Sequence, residues 1–357
     1  MQQEKKVKEL GSEFWLNDLP PMEKKDNACY VLSGRTAIDV ILQDILSQRS
    51  VKNVYMPAWC CDSMLRPFID RGIEIQAYDI CYSDGRLVYD VAENVNADIF
   101  YITNYFGYDN NLSEDVVRLF KNKGSVIMYD RTHSLFIEDK QYTELADYSF
   151  ASIRKWLGVP SGAYVVKRNG SLSLPMLHDY PYLSEKIEAM KLKYAYMSGD
   201  SSVDKQSFLD KFGSFNHHLS ECYRDYKIDD LSLLIWQYAD KKDLVLRRRS
   251  NSECLQSGLK EVQQVQVMFV SGANNCPLFV PVLFDTQATR DRVRKYLTQH
   301  SVYCPIHWPK PNIISDSMQV CALYNRGLSL VCDQRYTNDD MSRIIRLLEK
   351  AISIDNK

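Results

Sequence analysis

The sequence predicts an α/β protein, a large domain on a mainly parallel sheet over residues 1–235 and a smaller C-terminal α+β domain over 236–357. Three observations predict it. Between about residues 30 and 170, short apolar runs alternate with amphipathic stretches, the pattern of strands and helices in a sheet covered on both faces. Apolar residues then recur at helical spacing from about 228 to 259, a length suited to a helix leading into another domain. The remaining ~100 residues mix strand-like runs with two helices, enough for a compact second unit. At 357 residues the chain is also longer than one ordinary core holds.

The elements follow in order. SGRTAIDVILQDIL reads as a helix, NVYMP as a strand, CDSMLRPFIDRG as a helix and IEIQAYDI as a strand. DIFYITNYFG, the helical LSEDVVRLFKNKG and the strand SVIMYD continue the series, which closes on DYSFAS and GAYVVKR. From 172 to 225 the pattern is irregular and rich in Tyr, Ser, His and Lys, and reads as helices and loops that form a lid or a subunit contact. VQVMFV and LFVPVLF are strand-like, TRDRVRKYLTQH is helical, YCPIHWPKP is a loop, LSLVC a strand and NDDMSRIIRLLEKAI the closing helix. In open parallel sheets ligands bind beyond the carboxyl ends of the strands, so the polar residues just after each strand carry the functional information.

Composition narrows the function. Lys and Arg total 44 against 46 Asp and Glu, a net charge of −2 with no long run of one sign, so nothing calls for a nucleic-acid partner. Arg247-Arg248-Arg249 is the longest basic cluster and reads as a solvated helix face. No window reaches the ~20 apolar residues of a membrane span, and the charged MQQEKKVKELGSEFW lacks the apolar centre of a secretory signal, which places the expected location in the cytoplasm. Ten cysteines occur without a C-x-x-C pair; reduced, mostly buried thiols are expected, with no metal site.

Four pieces of the large domain describe a cofactor with a phosphate, an aromatic ring and an aldehyde. Ser33-Gly34-Arg35-Thr36 opens a helix, whose unpaired N–H groups and partial positive charge suit a phosphate; Gly34 allows close backbone approach and Thr36 adds a hydroxyl. On its own, Ser or Thr there is more often a plain N-cap. Asp130 closes SVIMYD, where a carboxylate pairs with the protonated ring nitrogen of pyridoxal 5′-phosphate (PLP), and His133 follows three residues later. An Asp at a strand end is otherwise a turn-former. Ser149-Phe150-Ala151-Ser152-Ile153-Arg154-Lys155 brings a lysine flanked by Arg154 and Trp156, a setting that favours the neutral amine an aldehyde requires; Ser152 reaches the phosphate if the chain turns tightly. Pro57-Ala58-Trp59-Cys60-Cys61 and Asn104-Tyr105-Phe106-Gly107 supply a surface for the ring and a polar group for the substrate, although buried aromatics are usually core.

In order and spacing these pieces resemble the fold-type-I PLP-dependent transferases, and specifically the DegT/StrS family of sugar aminotransferases. SGRTAI is similar to that family's phosphate turn, MPAWCC to its strand ending in Pro and aromatics, NYFG to its His- or Asn-containing strand end, DRTH to its Asp followed by Gln or His, and SFASIRK to its Ser-Phe strand leading to Lys. LSLVCDQRYTNDDMSRIIRLL looks like the closing strand and helix. The resemblance spans nearly the whole chain from residue 30, except 172–225.

The resemblance implies that Lys155 is the catalytic residue, forming the Schiff base with PLP and shuttling the proton, that Asp130 partners the ring nitrogen, and that His133 meets the ring oxygen. It implies phosphate contacts from Arg35, Thr36 and Ser152, and places Asn104 beside the substrate. There are departures. The family's ring-stacking aromatic falls at Cys61, so either that thiol covers the ring or Trp59 does so from a shifted register. Arg131-Thr132 replace two small residues, and the Ser-Phe pair lies one residue further from the lysine. His307-Trp308 either close over the site or belong to a packed loop. The implied activity is transfer of an amino group from glutamate to a keto-sugar, nucleotide-linked, for surface polysaccharide biosynthesis. The alternatives are a PLP-dependent dehydratase, usually marked by His in place of the lysine, and a non-catalytic binding or regulatory protein. A homodimer is also implied, with 172–225 and its Arg224 donating residues across the boundary.

Overall fold

The structure is a computed structural model that describes residues 10–14, 28–109, 112–137, 139–272 and 274–353. An eight-stranded sheet runs in the spatial order Cys29–Val31, Ala163–Lys167, Tyr148–Ser152, Val126–Asp130, Ile99–Thr103, Asn53–Pro57, Glu74–Ser83 and Arg86–Asp90. The five strands from Tyr148–Ser152 to Glu74–Ser83 are parallel, and the edges are antiparallel. Ile99–Thr103 and Tyr148–Ser152 are buried along their whole length; the first reads as the near-continuous apolar run IFYI, while the second carries Ser149 and Ser152. Strand order reverses between Asn53–Pro57 and Ile99–Thr103, so the crevice of this sheet opens beyond their carboxyl ends.

Two buried acids fix the helix Gly34–Leu46 against this sheet. Asp39 receives both Nε and Nη2 of Arg71, at 2.9 and 2.7 Å. Asp44 accepts from Tyr148 Oη at 2.5 Å and pairs with Lys167 Nζ at 2.7 Å, so its charge is compensated inside the core. The strand Arg86–Asp90 was not anticipated. It follows a tight turn in which Asp84 and Gly85 both have positive φ, 51° and 78°, the Asp-Gly hairpin chemistry already visible in YSDGRLVY.

The expected thirty-residue helix is two helices, Asp230–Tyr238 and Lys241–Leu259. Ala239 leaves the helical region at ψ 133°, and the Asp240 carboxylate caps the second helix by accepting from Asp243 N at 2.9 Å. The stretch 172–225 holds the helices Leu183–Met197 and Lys205–Glu221, packed together through Met190, Phe208 and Phe212.

A second, three-stranded antiparallel sheet comprises Val265–Val267, Val280–Phe284 and Gly327–Leu330. Lys241–Leu259, Gln287–Gln299 and Asn338–Ser353 cover it with Leu255, Val293, Ile344 and Leu348. Leu10–Gly11 pairs in parallel with Val302–Tyr303, and Leu10 is buried in this same core. Leu10 thus joins the core of the C-terminal unit, while Ser12 and Glu13 receive Lys193 and Lys186 of the helical pair.

The two units meet where Cys276 N donates to Gly107 O at 3.1 Å and Leu278 N to Phe106 O at 2.8 Å. Gly107 has φ +78°, and a Cβ there would fall 1.9 Å from the Cys276 carbonyl oxygen. Gly107→Ala is therefore expected to destabilise the protein by about 2–4 kcal/mol, combining strained backbone with overpacking. Urea unfolding measures it, and an unchanged midpoint would contradict this account of the joint.

Candidate active site

A cavity of ≈ 290 Å³ lies beyond the carboxyl ends of the central strands. Of the ten residues singled out in the sequence, Gly34, Arg35, Cys61, Asp130, His133, Ser152 and Lys155 line it. They converge because each follows a strand of one parallel sheet or begins the helix packed on it. Lys155 ends a single 3-10 turn, Ile153–Lys155, directly after the strand Tyr148–Ser152. Its Nζ lies 6.0 Å from the centre of the Trp308 ring.

Thr132 joins the Asp130 turn to the lysine turn. Its N–H donates to Asp130 Oδ1 at 2.7 Å, its Oγ1 accepts from Ser152 N at 3.2 Å, and its carbonyl accepts from Trp156 Nε1 at 2.7 Å. Arg131, the other departure in DRTH, points elsewhere and pairs with Asp139 Oδ1 at 3.0 Å. Asp130 is 5% exposed, and its Oδ2 accepts from Tyr101 Oη at 2.7 Å. Burial holds its carboxyl above the ordinary range, against the lowering effect of the Thr132 and Tyr101 hydrogen bonds and the Lys155 charge. His133 and His307 are both held well below the usual imidazole range, first by burial and then by the Lys155 charge, so both are neutral. His133 Nδ1 accepts from Phe106 N at 3.4 Å, which leaves Nε2 to carry the proton. Trp308 stacks on His133, with ring centres 5.4 Å apart, and closes the cavity from the C-terminal unit.

Three singled-out residues do not line the cavity. Thr36 Oγ1 donates to Tyr223 O at 2.7 Å, so the hydroxyl expected at the phosphate turns into the core; Thr36 N is capped by Ser33 Oγ at 3.2 Å. Trp59 stacks on Tyr105, with centres 4.7 Å apart, and donates to His307 O at 2.8 Å. Of the two candidates for the ring surface, only Cys61 faces the cavity. Asn104 is fully buried, its Nδ2 donating to Tyr108 O at 2.8 Å. Sequence reasoning missed Asn216 and Leu219, which reach the cavity from the helix Lys205–Glu221. It also missed Tyr101, whose place behind Asp130 is given by nothing in the local pattern. Arg224 is held within its own chain by Asp39 and Asp70, at 3.6 and 3.4 Å.

The residue set fits PLP at three points. Helix geometry leaves the amides of Gly34 and Arg35 without an intrahelical acceptor beside Ser152, a cradle for a phosphate. Arg35 Nη1 donates to Leu219 O at 2.8 Å, while its buried Nε has no hydrogen-bond partner among the described residues. Asp130 provides a buried carboxylate for a ring cation, and Lys155 an amine in the same cavity. No group of three or more His, Cys, Asp or Glu among the described residues is arranged to hold a metal ion. The ten cysteines are free, four of them buried and Cys222 exposed. No helix among the described residues is long and apolar enough to cross a membrane.

The raised carboxyl has a consequence for stability. A folded state that binds this proton more tightly than the unfolded chain loses stability as pH rises from the unfolded carboxyl's pKa through the folded one. Asp130→Asn should raise the melting temperature of the cofactor-free protein at pH 7, and the gain should vanish on acidification below the ordinary aspartate range. A variant that melts below the wild type at pH 7 would contradict the assignment of a charged, burial-penalised carboxylate.

No protein-family model matches the sequence, and no curated protein matches it. Solved structures do. An aminotransferase, TlmJ, from Streptoalloteichus hindustanus superposes with a TM-score of 0.66 at 16% identity, over 92% of this chain and 87% of that one. The aminotransferase PseC of Helicobacter pylori, involved in pseudoaminic acid biosynthesis, gives 0.65 at 13% identity, over 91% and 86%. A protein of Streptococcus pneumoniae described as a sugar aminotransferase gives, in its PLP form, 0.64 at 12% identity, over 91% and 86%. With this coverage of both chains, the large sheet and the smaller unit together have the α/β architecture of fold-type-I PLP-dependent transferases.

Proposed function

We propose that the chain is a PLP-dependent aminotransferase that takes an amino group from glutamate and delivers it to a keto group of a nucleotide-linked sugar used in surface polysaccharide. The observation that carries the reading is the placement of Lys155 and the buried Asp130 in one cavity with the helix start at Gly34 and Arg35. PLP, when bound, supplies the sink for the electrons left at the substrate carbon. Asp130 keeps the ring nitrogen charged, and Tyr101 and Thr132 hold both carboxylate oxygens in place. Lys155 Nζ would carry the proton between the substrate carbon and the cofactor within each half-reaction, ending each with its own protonation unchanged. The neutral His133 and His307, with Trp308, exclude water without competing for the Asp130 charge.

A lysine at position 155 favours transfer over dehydration. The acceptor class rests on the sequence resemblance and on two structurally similar proteins, one described as a sugar aminotransferase and the other, DesI, solved in the presence of its TDP-sugar product. The homodimer rests on the resemblance alone.

Protein saturated with PLP should show a visible absorbance band that Lys155→Ala abolishes, with amine transfer from glutamate falling at least ~10²-fold. A protein that stays colourless and takes up no PLP would refute the reading. A panel of nucleotide-linked keto-sugars should include an acceptor, and transfer to none of them from glutamate would remove the acceptor class. Solution scattering should give twice the chain mass; a fully active monomer would dispose of the dimer.

A further inference from the structure

Lys155 lines the ≈ 290 Å³ cavity and a larger neighbour of ≈ 530 Å³, so little packs against its side chain from those two sides. What fixes the amine must therefore act on the turn that carries it. Trp156, the next residue, is fully buried and lines neither cavity, yet each of its polar groups is engaged. Its backbone N–H donates to Ile153 O at 2.9 Å, its indole Nε1 to Thr132 O at 2.7 Å, and its carbonyl accepts from Gln334 Nε2 at 2.7 Å. The Arg248 guanidinium lies 4.6 Å from the centre of its ring.

Gln334 reaches Trp156 from the C-terminal unit, in the loop that follows the strand Gly327–Leu330. Its Oε1 accepts from Arg248 Nε at 2.8 Å, and Arg248 Nη1 is anchored on the carbonyls of Pro277 and Leu278, at 3.1 and 3.0 Å. Leu278 is itself at the joint, where its N–H donates to Phe106 O. One hydrogen-bonded chain thus runs from the joint through Arg248, Gln334 and Trp156 to Thr132, whose N–H holds Asp130 Oδ1. The residue type at 334 matters. A guanidinium N–H donates and a peptide carbonyl accepts, so a side chain that bridges them must offer both an acceptor and a donor at its tip. Glutamine does so, whereas a carboxylate in its place keeps the acceptor and loses the donor.

We propose that Gln334 is a positioning residue for the reacting amine: by joining Arg248 to the Trp156 carbonyl, it clamps the lysine turn to the C-terminal unit and raises the effective concentration of Lys155 Nζ at the cofactor aldehyde. The proposal rests on the reading of Lys155 as that amine. Gln334 lines neither cavity, so it acts on where the amine sits and leaves the lining of the site unchanged.

Amine exchange measures that effective concentration. Protein saturated with PLP is equilibrated with rising methylamine, whose nitrogen replaces that of Lys155 on the aldehyde carbon and leaves the lysine as the free amine. Borohydride reduction and mass spectrometry then give the fraction of pyridoxyl group still on Lys155. Gln334→Glu is expected to lower the methylamine concentration at half-displacement about tenfold. Its urea unfolding midpoint should stay at that of the wild type, because the introduced carboxylate pairs with Arg248. Gln334→Met, which keeps the length of the side chain and loses both hydrogen bonds, should show the same loss, and it decides the matter alone if the added charge prevents folding. Wild-type displacement in the folded variants overturns the proposal, even where the unfolding midpoint falls, since Gln334 would then serve stability only. A loss confined to Gln334→Met beside a folded, unaffected Gln334→Glu overturns it too, because the bond to Trp156 would not matter. A wild-type protein that carries no adduct on Lys155 contradicts the functional reading instead, so the two failures are distinguishable.

Discussion

The charge on Asp130 is the constraint around which the molecule is organised. It lies at the end of a central strand, almost out of solvent, and among the described residues no salt bridge compensates it. Asp39 and Asp44 are equally buried, but each has a cation at hydrogen-bonding distance. On the proposed reading the difference separates structural carboxylates from a functional one: Asp130 has hydrogen bonds from Tyr101 and Thr132 and the more distant charge of Lys155, and a ring cation from outside the chain would complete its pairing. Binding of that cation would recover the stability lost in keeping it so.

The rest of the fold serves the geometry around that charge. The paired Asp39 and Asp44 lock the helix Gly34–Leu46 so that its N-terminus opens toward Ser152. Thr132 ties the carboxylate turn to the lysine turn through three hydrogen bonds. Ser12 and Glu13 bind Lys193 and Lys186, while Leu10 sits in the C-terminal core, so one short stretch fastens the helical pair 183–221 to the second unit along the edge of the larger cavity. The Glu13 carboxyl, brought down to about 2 chiefly by Lys186, stays charged throughout the physiological range.

What was legible in the sequence is what depends on local periodicity and on parallel-sheet topology. The buried strands, the C-terminal unit and the meeting of Gly34, Asp130, Ser152 and Lys155 follow from alternation of elements and from residues placed at strand ends. What was illegible depends on contacts between distant parts of the chain. Thr36 looked like a phosphate ligand, but its hydroxyl donates to the carbonyl of Tyr223, 187 residues away. Asn216 and Leu219 come from a helix whose exposed face carries no functional pattern. Arg248 read as part of a solvated basic run, although it is almost wholly buried and its neighbour Arg247 is the exposed one. The helix break at Ala239–Asp240 was signalled by an aspartate cap that the surrounding apolar periodicity concealed.

The account stands or falls on which amine condenses with the cofactor aldehyde. Incubation with PLP, reduction with borohydride and peptide mapping by mass spectrometry should place one pyridoxyl adduct on Lys155. A reduced adduct spread over surface lysines, or confined to another position, would contradict it.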